Sequence, residues 1–226
     1  MCWRNRGKMR DFGARLRFGL NWGFGAAMAE QGEPFFETRR LEALSNTVFG
    51  VAMTLLAYDF PKEKLASAAP DWSSIAREYA PHLTALLLSF LVAGLFWFSH
   101  QRRLAYAPGV GRAEVLGNLL LLLSIILLPV TTGLYGAYPE AGDVVALYGF
   151  HLAAIALINL ALWWMALAAR RDWHLIGGPA SVAVIFVLAA AAAPFAPHAA
   201  RSMWTLGFIA PVVAALVERR ARRRGA

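Results

Sequence analysis

Arg40-Leu41-Glu42-Ala43-Leu44-Ser45-Asn46-Thr47-Val48-Phe49-Gly50-Val51-Ala52-Met53-Thr54-Leu55-Leu56-Ala57-Tyr58-Asp59 is the stretch on which the reading of this chain turns. It is long enough to cross a hydrocarbon core of ~30 Å as a helix, yet it holds Ser45, Asn46, Thr47 and Thr54. Polar side chains at that depth need a neighbouring helix or water. On a wheel of about 100° per residue, Thr47, Val51, Thr54 and Tyr58 cluster within about 60°, with Leu44 and Leu55 at one margin. Ala43, Gly50 and Ala57 recur at heptad spacing on the opposite flank, a stripe small enough for another helix to pack tightly. One face therefore offers hydroxyls interleaved with bulky apolar groups, as a helix lining a narrow pore would. The same pattern arises when Thr47 and Thr54 simply bond to their own backbone carbonyls.

Around this stretch the chain reads as membrane-embedded. Of its 226 residues, 58% are hydrophobic and 16% charged, where a soluble domain carries about a quarter charged residues. Six segments have the length and apolarity of spans, at roughly 41–60, 82–101, 114–135, 144–168, 176–196 and 202–218. The expected fold is all-α: a six-helix transmembrane domain over 35–218, between a basic tail at 1–34 and another at 219–226. Pro129 falls inside the third span, and Pro194 and Pro211 should kink or end the last two. The basic residues test this count. Eighteen of the 22 Lys and Arg fall in the two tails and the second and fourth loops, and only Lys62, Lys64, Arg77 and Arg201 fall on the other side. By the positive-inside rule both termini are cytoplasmic, and moving one span would destroy the asymmetry.

Other classes find little support. The net charge of +8 is gathered in short runs beside apolar segments, not spread over a phosphate-binding face, so no nucleic-acid partner is expected. The single cysteine, Cys2, allows no internal disulfide. His82, His151, His174 and His198 show no metal-ligand spacing, and no cofactor or small-molecule substrate is expected. There is no Walker loop, nucleophile elbow, His-Glu-x-x-His or pair of intramembrane carboxylates, so the chain does not read as an enzyme. Trp163, Trp164, Trp173 and Trp204 read as interfacial anchors, Asn159 as an interhelical hydrogen-bonding group, and the Arg219–Arg224 run as a headgroup anchor. Nothing at the N-terminus reads as a cleaved signal peptide. The segment 15–24 reads as a mobile basic tail or an interfacial helix, and translation could begin at Met1 or Met28.

Three ordered motifs add a resemblance. Arg40-Leu41-Glu42-Ala43-Leu44-Ser45-Asn46, followed by Val48-Phe49 and Thr54-Leu55-Leu56, resembles the first-helix signature Arg-x-x-x-Phe-Ser-Asp of the transmembrane protein 175 family. Phe96-Trp97-Phe98-Ser99-His100 is similar to the family's Trp-x-x-His at the end of the second helix. Asn118-Leu119-Leu120-Leu121-Leu122 leading to Leu128-Pro129 resembles its third. The likeness covers about 35–218. It implies a homotetramer in the lipid bilayer, with a central pore lined by the first helix of each subunit and permeant to monovalent cations, K+ foremost. It also implies an apolar constriction in place of the Thr-Val-Gly-Tyr-Gly carbonyl filter, which this sequence lacks. Through the motif, the constriction falls on Val51, with Thr54, Leu55 and Tyr58 further along the same face and Thr47 before it. Arg40, Leu44, Ser45, Asn46, Trp97, His100 and Asn118 fall on the family's motif and packing network. The resemblance places the protein in a prokaryotic plasma membrane.

Two departures stand out: Leu44 replaces the motif Phe, and Asn46 replaces the motif Asp, which removes a charge from the polar network. Val51 is also smaller than the family's isoleucine or leucine. His100 would either titrate near neutral pH or hold a fixed hydrogen bond to Ser45, Asn46 or Asn118. A potassium-permeable leak channel is the function expected, with a proton-coupled secondary transporter as the alternative. A carrier would usually show two similar halves and a midplane charge, and neither is visible here.

Overall fold

A computed structural model describes residues 37–58, 71–106, 110–170 and 173–209. The expected basic tails, the interfacial segment at 15–24, Lys62, Lys64 and the end of the last span lie outside the described residues. Among the described residues six α-helices follow one another: α1 Thr38–Leu55, α2 Trp72–Tyr106, α3 Arg112–Ala137, α4 Gly142–Arg170, α5 Gly177–Ala192 and α6 at 197–209, with a short 3-10 turn Trp173–Leu175 before α5. Three of them, α2, α3 and α4, are long and apolar enough to cross a membrane by length and composition. The chain is an integral membrane protein of all-α class.

Local chemistry explains where the helices differ from the expected spans. With 35 residues, α2 is about 52 Å long at 1.5 Å per residue. It therefore overruns the expected span at both ends, through Pro81 on one side and Arg103 on the other. Its start is fixed by Asp71, whose carboxylate accepts from the Ser73 hydroxyl at 2.7 Å and the Ser74 N–H at 2.9 Å. Hydrogen bonds from Ser74 and Ser73 hold the Asp71 carboxyl down to about 2. α3 starts in a similar way, with Glu114 Oε2 accepting the Gly111 N–H at 2.9 Å. α5 stops at Ala192 because Pro194 has no N–H to continue the ladder, and α6 begins at Pro197, where a missing N–H costs nothing. That is five residues earlier than the expected sixth span.

α4 packs between α3 and α5, and α1 lies against α2 and α3. The core between them holds Phe49, Val92, Phe96, Leu121, Ile125, Leu152 and Phe186, all essentially buried. One end is locked by rings: Tyr135 and Tyr148 stack at 5.0 Å, and Trp204 of α6 meets both edge-on at 5.5 and 5.1 Å. Tyr148 also bonds to Ser89 at 2.8 Å, and Thr132 donates to Ser89 at 2.7 Å. Outside the rings, Arg201 grips Glu140 with two bonds of 2.9 and 3.1 Å, and Arg201 holds the Glu140 carboxyl below the usual carboxylate range. The tryptophans divide. Trp164 and Trp173 are exposed, but Trp163 and Trp204 are core residues, contrary to the interfacial role expected of all four. Trp163 Nε1 reaches Ser99 Oγ at 2.9 Å, and Asn159 Nδ2 meets the same oxygen at 3.1 Å.

α2 and α3 approach closely at Gly136, where an added Cβ would stand 2.9 Å from His82 Nδ1 and 3.4 Å from His82 Cα. Gly136→Ala must displace the His82 ring from the helix contact and should cost roughly 1–3 kcal/mol. Thermal unfolding in detergent measures it, with Gly142→Ala, which meets nothing within 4 Å, as the silent control.

Candidate functional site

α1 has two unlike faces. Leu41, Ser45, Phe49, Ala52 and Leu56 recur every three or four residues and are buried against α2 and α3. The other face is open: Val51 is 52% exposed, Leu55 43% and Tyr58 69%, and Thr47, Thr54 and Leu44 are exposed beside them. The small stripe is open too. Ala43, Gly50 and Ala57 are exposed, and nothing lies within 4 Å of a Cβ added at Gly50. Tight packing on that stripe was expected, but within the subunit the helix buries its bulkier Leu41–Phe49–Leu56 row, which removes more apolar area from water. Both threonine hydroxyls turn inward to their own helix: Thr47 donates to the Ala43 carbonyl at 2.9 Å and Thr54 to the Val51 carbonyl at 2.7 Å.

The buried face of α1 is anchored by a chain of polar groups. Ser45 Oγ donates to the Leu41 carbonyl at 2.7 Å and accepts from Asn118 Nδ2 at 3.1 Å. Asn118 Oδ1 in turn accepts from Arg103 Nη2 at 3.1 Å, and the same nitrogen lies 3.1 Å from His100 Nδ1. The His100 ring stacks on Phe49 of α1 with centroids 5.9 Å apart. Ser45, His100, Arg103 and Asn118 are all fully buried. A second, more exposed contact is made by Asn46, whose Oδ1 accepts from Trp97 Nε1 at 2.9 Å and meets the side-chain amide of Gln101.

The motif residues thus fall into three places. Ser45, His100 and Asn118 share one hydrogen-bonded chain, and Asn46 and Trp97 share another. Arg40 belongs to neither; it is exposed and pairs with Glu37 at 3.2 Å. The partner of His100 is Arg103, not Ser45, Asn46 or Asn118. Arg103 counted in the sequence only as a loop charge. The signal that marks it is periodic: Ser89, Val92, Phe96, His100 and Arg103 follow the same buried row of α2. Among the described residues its guanidinium has no salt bridge, and its Nε and Nη1 have no hydrogen-bond partner. Nor do the described residues contain a group of His, Cys, Asp and Glu able to hold a metal. What the arrangement can do is mechanical: a polar lock fixes the rotation of α1 and so fixes which side chains its free face presents.

The family model described as "Endosomal/lysosomal potassium channel TMEM175" matches residues 40–129, from the start of α1 to Pro129 in α3. A potassium channel of Streptomyces collinus is 34% identical over 132 residues, 57% of this chain and 64% of that protein, so the match spans just under two thirds of its length. A potassium channel of Chamaesiphon minutus is 31% identical over 140 residues, 60% of this chain and 68% of its own. The crystal structure of a lysosomal potassium-selective channel TMEM175 homolog from Chamaesiphon minutus superposes with a TM-score of 0.68 at 25% identity, covering 79% of this chain and 96% of that one.

Asn118→Leu would leave the Ser45 hydroxyl and Arg103 Nη2 facing an apolar group, and should cost about 3 kcal/mol or more. Asn118→Asp keeps the acceptor for Arg103 and should lose less. Unfolding midpoints of the two variants measure the ranking, and equal losses would assign Asn118 to packing alone.

Proposed function

The chain belongs to the family of the endosomal/lysosomal potassium channel TMEM175, and on that premise we propose that it forms a potassium-permeable leak channel. Four copies surround a central pore, and each contributes α1 to the lining. The observation that carries this reading is the open face of α1: a helix locked on one side by buried polar groups carries Val51, Leu55 and Tyr58 on the other, where no helix among the described residues covers them. Exposed apolar rows on α2, α3 and α4 suit lipid, but α1 also displays Thr47 and Thr54, which suit a wet lumen better than acyl chains. The relatives named as potassium channels support the choice of ion. The protein sits in a prokaryotic plasma membrane with both termini in the cytoplasm.

On a fourfold axis the Val51 side chains form one ring and the Leu55 side chains another. Apolar rings cannot replace the water of a cation with oxygen ligands, so discrimination depends on how much hydration each ring strips or admits. A valine ring is wider than one of isoleucine or leucine, which sets the expectation of higher conductance and weaker discrimination among cations. Gly50 and its neighbours on the small stripe then allow close approach between subunits.

Two measurements test this. In planar bilayers with potassium on one side and sodium on the other, Val51→Ala should raise unitary conductance and shift the reversal potential toward zero, and Val51→Phe should block. Met53, partly buried on the other side of the helix, should tolerate Met53→Leu without change in unitary current. If Val51 and Met53 variants conduct alike, α1 does not line the path. Separately, Gly50→Ala meets nothing inside the subunit, and alanine favours helix by up to about 1 kcal/mol. It should therefore leave subunit folding intact while lowering the share of tetramer measured by native mass spectrometry. A conducting monomer would refute the assembly.

A further inference from the structure

A guanidinium carries no lone pair and can only donate. The 3.1 Å contact between Arg103 Nη2 and His100 Nδ1 therefore requires Nδ1 to be the unprotonated ring nitrogen, with the ring hydrogen on Nε2. A proton on Nδ1 would set two N–H groups against each other and two cations about 3 Å apart in a low-dielectric interior. No other described group changes this balance at the ring. From α1 it faces Phe49 and Ser45, and from α3 Asn118, none of them charged. Glu114 of α3 acts on Arg103 electrostatically rather than on the ring. Glu42 of α1 lies beyond Gln101, and α4 brings only Asn159 and Trp163 to the neighbouring Ser99.

We propose that Arg103 is the positioning residue of the pore helix: it fixes His100 as its Nε2–H tautomer and, through Asn118 and Ser45, fixes the seat of α1. The role rests on the assignment of α1 to the pore. It gives the buried charge of this site to α2, since Arg40 of the motif is exposed and paired with Glu37, and Asn46 contributes no charge. Without Arg103 the ring hydrogen could sit on either nitrogen, because Nε2 has no hydrogen-bond partner among the described residues. Arg103 removes this freedom by occupying Nδ1.

The experiment is nitrogen-15 histidine NMR on the full chain in lipid nanodiscs, with the His100 signals assigned by their loss in His100→Asn. In the wild type His100 should show the neutral Nε2–H pattern alone. In Arg103→Met both neutral tautomers should appear, and Arg103→Lys, which still offers a cationic donor, should restore the single pattern. Bilayer currents add the functional arm: with α1 less firmly seated, the current of Arg103→Met should fall severalfold relative to the wild type, and Arg103→Lys should follow the wild type. An Nδ1–H tautomer in the wild type, or an Arg103→Met spectrum and current like those of the wild type, would overturn the proposal. If Arg103→Met does not fold, the wild-type and lysine spectra still decide. If the wild type passes no current the pore assignment fails, while the spectra answer the question of His100 independently.

Discussion

One nitrogen of Arg103 reaches both Asn118 and His100, and the placement of α1 depends on that fork. A buried guanidinium is costly wherever it lies, because water solvates it better than any bundle of apolar helices. Here it is fully buried; one of its bonds reaches Asn118 on α3, and the other meets His100 on its own helix. Through Asn118 the contact passes to α3 and on to Ser45 of α1, and through His100 it passes to the ring of Phe49. Three helices are thereby tied at one level by groups that cannot slide without exposing an unpaired donor or acceptor. Apolar contacts favour burial of the bulkier Leu41, Phe49 and Leu56 row, and the polar chain fixes that same face at one angle.

The far end of the bundle is secured by different means. Tyr135, Tyr148 and Trp204 meet at stacked and edge-on distances, and the Glu140–Arg201 pair closes over them. This end joins α3, α4 and α6 and does not involve α1. The polar anchor of α1 is thus confined to its Ser45 half, while its apolar contacts continue through Phe49, Ala52 and Leu56.

The all-helical class and the three longest spans were legible because length and apolarity are read directly from composition. The ends were less so. A charge at the end of an apolar run reads as topology, and Arg103 was counted that way, although α2 runs past it and buries it; only the recurrence of Ser89, Phe96 and His100 on one row marks its true position. Tryptophans near span ends read as interfacial anchors by frequency; Trp164 and Trp173 are exposed, whereas Trp163 and Trp204 are buried in the core. Their burial depends on partners (Ser99 for one, two tyrosines for the other) that lie 55 to 70 residues away in sequence. On α1, periodicity grouped Thr47, Val51, Thr54 and Tyr58 on one side and Ala43, Gly50 and Ala57 on its flank, and both sets are exposed within the chain, because a wheel shows which residues share a side and not which side the fold will bury.

The turned-in hydroxyls of Thr47 and Thr54 have a consequence for anything that passes along α1. Each hydroxyl proton is already held by a carbonyl of the same helix. What remains pointing outward is the oxygen with its lone pairs. The helix therefore presents the negative end of these dipoles to its surroundings and withholds the positive end. At these two positions a cation would meet electron density able to share its hydration shell, while an anion would meet no hydroxyl donor. On the proposed pore face, discrimination by the sign of charge would then precede any question of ionic radius, and it would come from two bonds made inside one helix.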